Sequence, residues 1–267
     1  MEILKLQDKT PHGSCEHALL TELPISKQRK ALVAHHLFSN QSRAFIAVRD
    51  AIKQQNLDSL LSPKPCTVVY VGGNVNGADA PAFLRQGCTV HLLEPVPSYY
   101  EKLRRKFSRT DRVSLHNYGI GRITQTLEAP RLAGVGTSYQ SMRPVQNRSS
   151  RGNLIRILSP RDMFEDLNLT HPRIDRDGAT TMLHMNCEGC EYETIEALAA
   201  AHLLRHFDVI QFGTHLYPTA INGVTEIVPQ YCKARKALEL ARFSMWQGKS
   251  FAWERWVLDK AHAPSAE

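Results

Sequence analysis

Residues 66–77 read CTVVYVGGNVNG, and this stretch decides the fold class of the chain. Its first half, from Cys66 to Val71, is a short run of β-branched and apolar residues, the pattern of a strand that is buried on both faces of a sheet. A helix fits residues 78–86, because Pro81 would fall in its first turn, where proline is tolerated. Between the strand and the helix lies a tight turn that contains three glycines: Gly72, Gly73 and Gly77.

Strands and helices continue to alternate on the C-terminal side of this stretch. Apolar runs predict strands at residues 89–93, 113–118, 181–185 and 209–212, and the segments between them predict helices at residues 98–107, 159–167, 191–204 and 223–242. The alternation predicts an α/β fold with a Rossmann-like, mostly parallel sheet. An antiparallel hairpin over residues 243–257, joined at residues 247–249, completes it. Residues 121–157 show little periodicity and are interpreted as irregular structure or a short β excursion.

The chain divides into two parts at a proline-rich segment before residue 66. We expect residues 1–62 to form an N-terminal helical cap, through which a homodimer could form, and residues 63–267 to form the main domain. No apolar run approaches the about 20 residues that span a bilayer, and the N-terminus lacks the apolar core of a signal peptide. The sequence therefore predicts a cytoplasmic protein without a membrane span.

The 267-residue chain carries 33 Lys and Arg against 26 Asp and Glu, a net charge of +7. Part of this excess is concentrated on one predicted helix and its exit, at Lys102, Arg104, Arg105, Lys106 and Arg109. Such charge runs are usually solvated helix faces. The lack of interleaved aromatic residues disfavours a nucleic-acid partner, which leaves an anionic small molecule as the alternative interpretation.

Glu94 is the first candidate for a ligand contact. It ends the second predicted strand, where a carboxylate can accept hydrogen bonds from both hydroxyls of a ribose. The glycine turn upstream would bring backbone N–H groups close to the same ligand. This arrangement suits either NAD or S-adenosylmethionine, but Asn74 stands where the dinucleotide motif requires glycine.

The six cysteines are widely spaced, unlike those of a small disulfide scaffold. Cys66 and Cys88 begin predicted buried strands, where we expect free thiols that behave as small hydrophobes. Cys187 and Cys190 form a C-x-x-C pair, but a zinc site needs about four ligands and the sequence has no second pair of this kind. We therefore expect neither a metal site nor a required disulfide at this pair.

Five segments resemble motifs of the FkbM-type methyltransferases, in the same order along the chain. The most specific is HMNCEGCE at residues 184–191, which is similar to the family's Lys-Ile-Asp-Val-Glu-Gly-x-Glu. The others lie at residues 70–76, 91–97, 115–121 and 211–216. The resemblance implies a class I methyltransferase fold, S-adenosylmethionine as methyl donor, and O-methylation of a hydroxyl on a small molecule or sugar. The hairpin predicted over residues 243–257 agrees with this fold, because such a hairpin separates a methyltransferase sheet from a dehydrogenase sheet.

The resemblance carries site residues onto this chain. The cofactor residues it implies, together with the glycine turn, are Gly72, Gly73, Asn74, Gly77, Glu94 and Asn117. The candidate catalytic residues are His215, Glu188 and Asn186. An imidazole has a pKa near ~6.5, so His215 is the natural general base for a hydroxyl, with Glu188 as the competing candidate.

Several family positions are changed in this chain. The acid at the end of the first strand is Tyr70, and the last glycine of that motif is Asn76. On the fourth and fifth strands, His184 and Asn186 replace Lys and Asp, and Gly213 replaces Glu. A degenerate, non-catalytic interaction module is therefore the alternative function. An NAD-dependent oxidoreductase is disfavoured by the terminal hairpin and by Asn74.

Overall fold

The computed structural model describes Cys15, Leu61 and residues 65–129, 143–144, 153–169, 179–214, 224–249 and 253–259. Most of the predicted N-terminal cap, residues 1–62, lies outside these ranges, as does His215. The helical cap and the homodimer surface therefore stay predictions. No helix in the described ranges combines the length and the apolar character that crossing a bilayer would need.

A seven-stranded sheet forms the centre of the molecule. Its strands are β1 (Cys66–Val71), β2 (Thr89–Leu93), β3 (Val113–His116), β8 (Thr180–Met185), β9 (Val209–Gly213), β10 (Phe243–Lys249) and β11 (Trp253–Leu258). The order across the sheet is β10-β11-β9-β8-β1-β2-β3. Strands β3, β2, β1, β8 and β9 pair in parallel, whereas β11 pairs antiparallel with both β9 and β10. A mostly parallel sheet that ends in this hairpin is the class I methyltransferase fold, as the sequence predicts.

Helices cover both faces of the sheet. They are α1 (Ala80–Arg85), α2 (Pro97–Lys106), α3 (Pro160–Asp166), α4 (Glu191–Ala200) and α5 (Val224–Leu240). Apolar side chains of α1 and α2 pack on one face of β1 and β2, and those of α3, α4 and α5 pack on the other. All six residues of β8 are buried, and Met182, Leu183 and Met185 are its apolar members. Because β1, β2 and β8 run parallel, their carboxyl ends lie at the same edge of the sheet.

A second, smaller sheet occupies the segment that shows little periodicity. It consists of β4 (Gly119–Ile120), β5 (Gln125–Ala129), β6 (Arg143–Pro144) and β7 (Asn153–Leu158), in the order β4-β7-β5-β6. The β interpretation of residues 121–157 is confirmed for the described part. Residues Leu127, Ile155 and Ile157 form a small apolar cluster of their own.

Two predicted boundaries are wrong by more than two residues, and each has a local cause. The helix predicted to reach residue 204 ends at Ala200, because His202 adopts a left-handed backbone, and a 3-10 turn at Leu204–His206 follows. The hairpin was expected to turn at residues 247–249, but β10 continues through Lys249. An irregularity between Met245 and Gln247 shifts the register there, so that the strand carries on past the glycine.

The expectation of free thiols at Cys66 and Cys88 is also wrong, because these residues form a disulfide. Thr67 pairs with Thr89 in the parallel β1–β2 ladder, and this register brings the residues before them side by side, with Cα atoms 4.5 Å apart. A second disulfide joins Cys15 to Cys232 on α5. Strand register, which neither local run specifies, decides the first of these pairings.

Candidate functional site

A pocket opens at the carboxyl ends of β1, β2 and β8, where parallel sheets bind their ligands. Fourteen residues from these strand ends, the following loops, α2 and the small sheet line it: Val71, Gly72, Asn74, Glu94, Pro95, Val96, Tyr99, Gly119, Ile120, Ile157, Asn186, Cys187, Glu188 and Cys190. Five predicted site residues are among them. These are Gly72, Asn74, Glu94, Asn186 and Glu188.

Glu94 is the buried acid of the pocket, with 4% of its surface exposed. Its carboxylate accepts one backbone hydrogen bond on each oxygen, from Val96 N at 2.9 Å and from Asn74 N at 2.7 Å. Burial raises the pKa of Glu94 to about 7, and the two N–H donors hold it from rising further. A carboxylate has about four lone-pair sites, so the side chain retains acceptor capacity toward the pocket.

In the glycine turn, residues 72–77, close packing requires glycine at two positions. The N–H groups of Gly72 and Gly73 both donate to Leu93 O, at 3.0 and 3.3 Å, which fastens the turn to the end of β2. A Cβ on Gly73 would lie 2.3 Å from the Leu92 side chain, and one on Gly77 would lie 2.9 Å from Phe107. Gly73 and Gly77 thus form the framework behind the pocket, whereas Gly72 lines it.

Asn74 and Asn117, two further predicted cofactor residues, also have protein partners. Asn74 has a left-handed backbone, and its side-chain oxygen accepts from Val75 N at 2.6 Å. Asn117 is exposed, and its amide donates to the Glu94 carbonyl at 2.9 Å. Asn117 therefore supports the loop that carries Glu94 and lies outside the pocket lining.

The cysteine turn, residues 187–190, forms another part of the pocket wall. Its two cysteines are joined by a disulfide, and the expectation that this bond is not required stays a prediction. Glu191, completely buried, holds the same turn: its carboxylate accepts from Cys187 N and Gly189 N, both at 2.8 Å. These contacts give Glu191 a structural role in holding the turn that precedes α4.

The catalytic candidates are only partly described. Asn186 follows β8, and its N–H donates to Val71 O at 2.9 Å, so that it sits beside the glycine turn. Glu188 lines the pocket from a left-handed backbone, with φ of 57°. His215 lies outside the described residues. The chain leaves the sheet toward it after Gly213, the last residue of β9, on the strand next to β8.

A polar row crosses the sheet at the position of the lost family acid. It consists of Tyr70, His184, Gln211 and Arg255, which are direct partners on four neighbouring strands. Arg255 donates to Gln211 at 2.6 Å, and Gln211 lies 3.3 Å from His184 Nδ1. His184 Nε2 and the Tyr70 hydroxyl both reach Asp79, at 3.0 and 3.3 Å.

Tyr70 and His184, which stand where the family has an acid and a lysine, are members of this buried polar row. Every member is buried, and burial lowers the pKa of Arg255 to about 10. Asp79 precedes α1, so the row ties the exit of the glycine turn to the sheet through side chains. His184 is completely buried in this row, and its contacts are those of a structural residue.

Sequence reasoning missed the apolar wall of the pocket. Pro95, Val96 and Tyr99 come from the loop after β2 and the first turn of α2, while Ile120 and Ile157 come from the small sheet. Only the proline-flanked start of α2 gives a local signal for this wall. The small-sheet residues are brought in by β4–β7 pairing across a long loop, which no local pattern specifies.

No family model matches this chain, and no curated protein matches its sequence. Among solved structures it is similar to an O-methyltransferase from Bacillus cereus in complex with SAH (12% identity, 91% of this chain and 97% of that chain, TM-score 0.41). It is also similar to the Methanococcus jannaschii fibrillarin pre-rRNA processing protein (8%, 73% and 67%, 0.38). A third is a geranyl diphosphate methyltransferase in complex with SAM (13%, 88% and 77%, 0.35). The strand order described above, and not these likenesses, assigns the fold.

Proposed function

We propose that the chain is an S-adenosylmethionine-dependent methyltransferase of the FkbM type that methylates a hydroxyl on a small molecule or sugar. The observation that carries the proposal is the buried Glu94 carboxylate, which faces a pocket at the carboxyl edge of a class I methyltransferase sheet. A carboxylate at the end of the second strand is suited to hold the two hydroxyls of a ribose.

The chemistry of the pocket wall fits the rest of this cofactor. An apolar surface of Pro95, Val96 and Ile120 lies beside Glu94 and suits the flat face of an adenine. The methionine end of the cofactor would lie at the glycine turn, where Gly72 lines the pocket. The pocket thus matches a ligand with an apolar ring and a diol, and it leaves Asn186 and Glu188 for the acceptor.

S-adenosylmethionine, when bound, supplies an electrophilic methyl group. The protein then has to align the acceptor hydroxyl, exclude water and remove one proton. In this proposal His215 takes that proton, and Asn186 orients the acceptor through its side-chain amide. Glu188 is the second candidate base, because its residue lines the same pocket and carries a carboxylate that can accept a proton.

Ligand binding tests the proposal before any acceptor is known. Thermal unfolding is measured with S-adenosylhomocysteine, with NAD and with no addition, because a ligand of the native state stabilises it by mass action. The proposal expects a concentration-dependent rise in Tm with S-adenosylhomocysteine alone. Stabilisation by NAD would favour an oxidoreductase instead, and no response to either ligand would favour the non-catalytic interaction module.

The acceptor is then found by methyl transfer. Radiolabelled S-adenosylmethionine is incubated with the protein and a set of sugars and hydroxylated small molecules, with the Glu94→Ala variant as the matched control. Label transferred by the wild type and not by the variant supports the proposed activity. Binding of S-adenosylhomocysteine without transfer to any hydroxyl, in a screen that includes amines and thiols, would contradict O-methylation.

A further inference from the structure

The cysteine turn has the architecture of a redox-active dithiol motif. A buried strand, β8, is followed by C-x-x-C, and Cys190 is the residue from which the ten-residue helix α4 begins. Cys190 is 2% exposed, whereas Cys187 is half-buried, and both line the pocket. One sulfur is thus more accessible to an incoming thiol than the other, as thiol–disulfide exchange requires.

Hydrogen bonds hold the turn in addition to the disulfide. Both oxygens of Glu191 bind N–H groups of the turn, and Asn186 N is bonded to Val71 O on β1. The disulfide spans a sequence separation of only 3, compared with 22 and 217 for the other two. Because the stabilisation from a crosslink grows with the length of the loop that it closes, this disulfide contributes least to the fold.

The cysteine turn is in close contact with the glycine turn. A Cβ on Gly72 would lie 2.2 Å from Asn186 O and 3.1 Å from Cys187 Cα, so the two backbones touch with no space between them. A change in the backbone of the cysteine turn therefore displaces Gly72, which lines the same pocket. The disulfide and the ligand site are mechanically linked through this contact.

We propose that Cys187–Cys190 is a redox-active disulfide that exchanges with dithiols and sets the affinity of the pocket. A thiolate of the dithiol attacks Cys187 Sγ, the Sγ–Sγ bond breaks, and Cys190 leaves as a thiolate that takes a proton. The second thiol of the reductant, as its thiolate, then attacks the reductant's sulfur in the mixed disulfide. Cys187 leaves as a thiolate that takes a proton. The disulfide gains two electrons and two protons, and the dithiol is oxidised to a disulfide.

Differential alkylation tests the exchange step on the full chain. The oxidised protein is equilibrated with increasing dithiothreitol, free thiols are alkylated, and mass spectrometry quantifies the three cysteine pairs separately. Cys187–Cys190 should open at a dithiothreitol concentration about tenfold lower than Cys66–Cys88, because Cys66–Cys88 closes the longer loop and is coupled to more of the folding free energy. Simultaneous opening, or later opening of Cys187–Cys190, would overturn the proposal.

A mixed-disulfide experiment tests the direction of attack. Cys190→Ser leaves a free thiol at Cys187, which should react with 5,5′-dithiobis(2-nitrobenzoate) at least about tenfold faster than the buried thiol that Cys187→Ser leaves at Cys190. Equal rates in the two variants would contradict attack at Cys187. Circular dichroism of both variants checks that they are folded.

The coupling to the pocket rests on the proposed function and is measured separately. The affinity for S-adenosylhomocysteine is compared between the oxidised protein, the protein reduced at Cys187–Cys190, and Cys187→Ser/Cys190→Ser. Coupling predicts a change of about tenfold between oxidised and reduced protein, with the double variant matching the reduced form. Cys15→Ser/Cys232→Ser is the matched control and should respond to dithiothreitol like the wild type.

The outcomes of the two measurements are distinguishable. Equal affinity in the oxidised and reduced forms would overturn the coupling. No binding in either form would overturn the proposed function, while the alkylation result would still decide whether the disulfide exchanges.

Discussion

Glu94 is a buried acid whose ionisation falls within the range in which the protein would be assayed. Its pKa is raised to about 7 from an ordinary value of 4.5, so the folded state holds the proton more tightly than the unfolded chain. Between these two values the contribution of Glu94 to stability therefore decreases as the pH rises. A ribose that donates hydrogen bonds from two hydroxyl groups to the carboxylate would favour the ionised form. It would thereby offset part of this loss of stability.

The ribose role of Glu94 predicts that cofactor affinity depends on pH. The affinity for S-adenosylhomocysteine should increase between pH 6 and pH 8 as Glu94 loses its proton, and calorimetry in two buffers should detect proton release near pH 6.5. Glu94→Gln should bind more weakly and without this pH dependence. Glu94→Ala should lose about 1–3 kcal/mol of binding free energy, and unchanged affinity in that variant would remove Glu94 from the site.

The assignment of the general base gives a second prediction for single residues. His215→Ala should slow turnover by about 10²–10⁴-fold at saturating acceptor while the affinity for S-adenosylhomocysteine stays the same, because a base acts on the acceptor hydroxyl. The wild-type rate should decrease below an apparent pKa near ~6.5. If His215→Ala keeps near-normal turnover, Glu188→Gln becomes the variant to measure.

At the level of elements, the contact between the glycine turn and the cysteine turn can be tested with two glycines. Gly72 and Gly87 have nearly the same positive φ, 86° and 84°, but a Cβ on Gly72 meets Asn186 O, whereas one on Gly87 meets nothing within 4 Å. Gly87→Ala should therefore cost about 1–2 kcal/mol of folding free energy from backbone strain alone.

Gly72→Ala should cost at least about 2 kcal/mol more than Gly87→Ala, because the collision adds to the same strain. It should also weaken the binding of S-adenosylhomocysteine, which Gly87→Ala should leave unchanged. Urea unfolding and calorimetry measure the two effects. An equal loss of stability in both variants would mean that the two turns can move apart.

Elements differ in how far the sequence predicts them. The strand predicted at residues 89–93 matches β2, and Ser159 caps α3 as its position before Pro160 suggests, since these features depend on local composition and caps. The end of β10 was missed because a register shift lies inside that strand. The pairing of Cys66 with Cys88 was missed because it depends on how two separate strands align.

At the scale of the whole molecule, the site residues also divide into those that local sequence predicts and those that depend on packing between distant segments. Glu94 and Asn186 could be placed at the pocket because each follows a recognisable strand of a parallel sheet. Gly73 and Gly77 belong to the right turn, but packing against Leu92 and Phe107 accounts for them, and that packing is visible only once the helices are in place. Ile157 reaches the pocket through a sheet whose strands are far apart in sequence.

A disulfide contributes more to the stability of the whole molecule when it closes a longer loop, and the contribution grows with the logarithm of the loop length. In the chain-entropy view, Cys66→Ala/Cys88→Ala should lose about 3 kcal/mol and Cys187→Ala/Cys190→Ala about 2 kcal/mol. Urea unfolding without reductant measures both. A larger loss from the second variant would show that the short disulfide has a structural role after all.

Three disulfides are typical of oxidising compartments, and the cytoplasmic location inferred from sequence stays a prediction.

The bond between Cys15 and Cys232 has a topological consequence. It closes a covalent ring of the backbone across a sequence separation of 217, so that most of the chain belongs to a single macrocycle. One cut by a protease inside this ring opens the cycle without releasing a fragment. The nicked chain would migrate as one species on a non-reducing gel and separate into two pieces only after reduction.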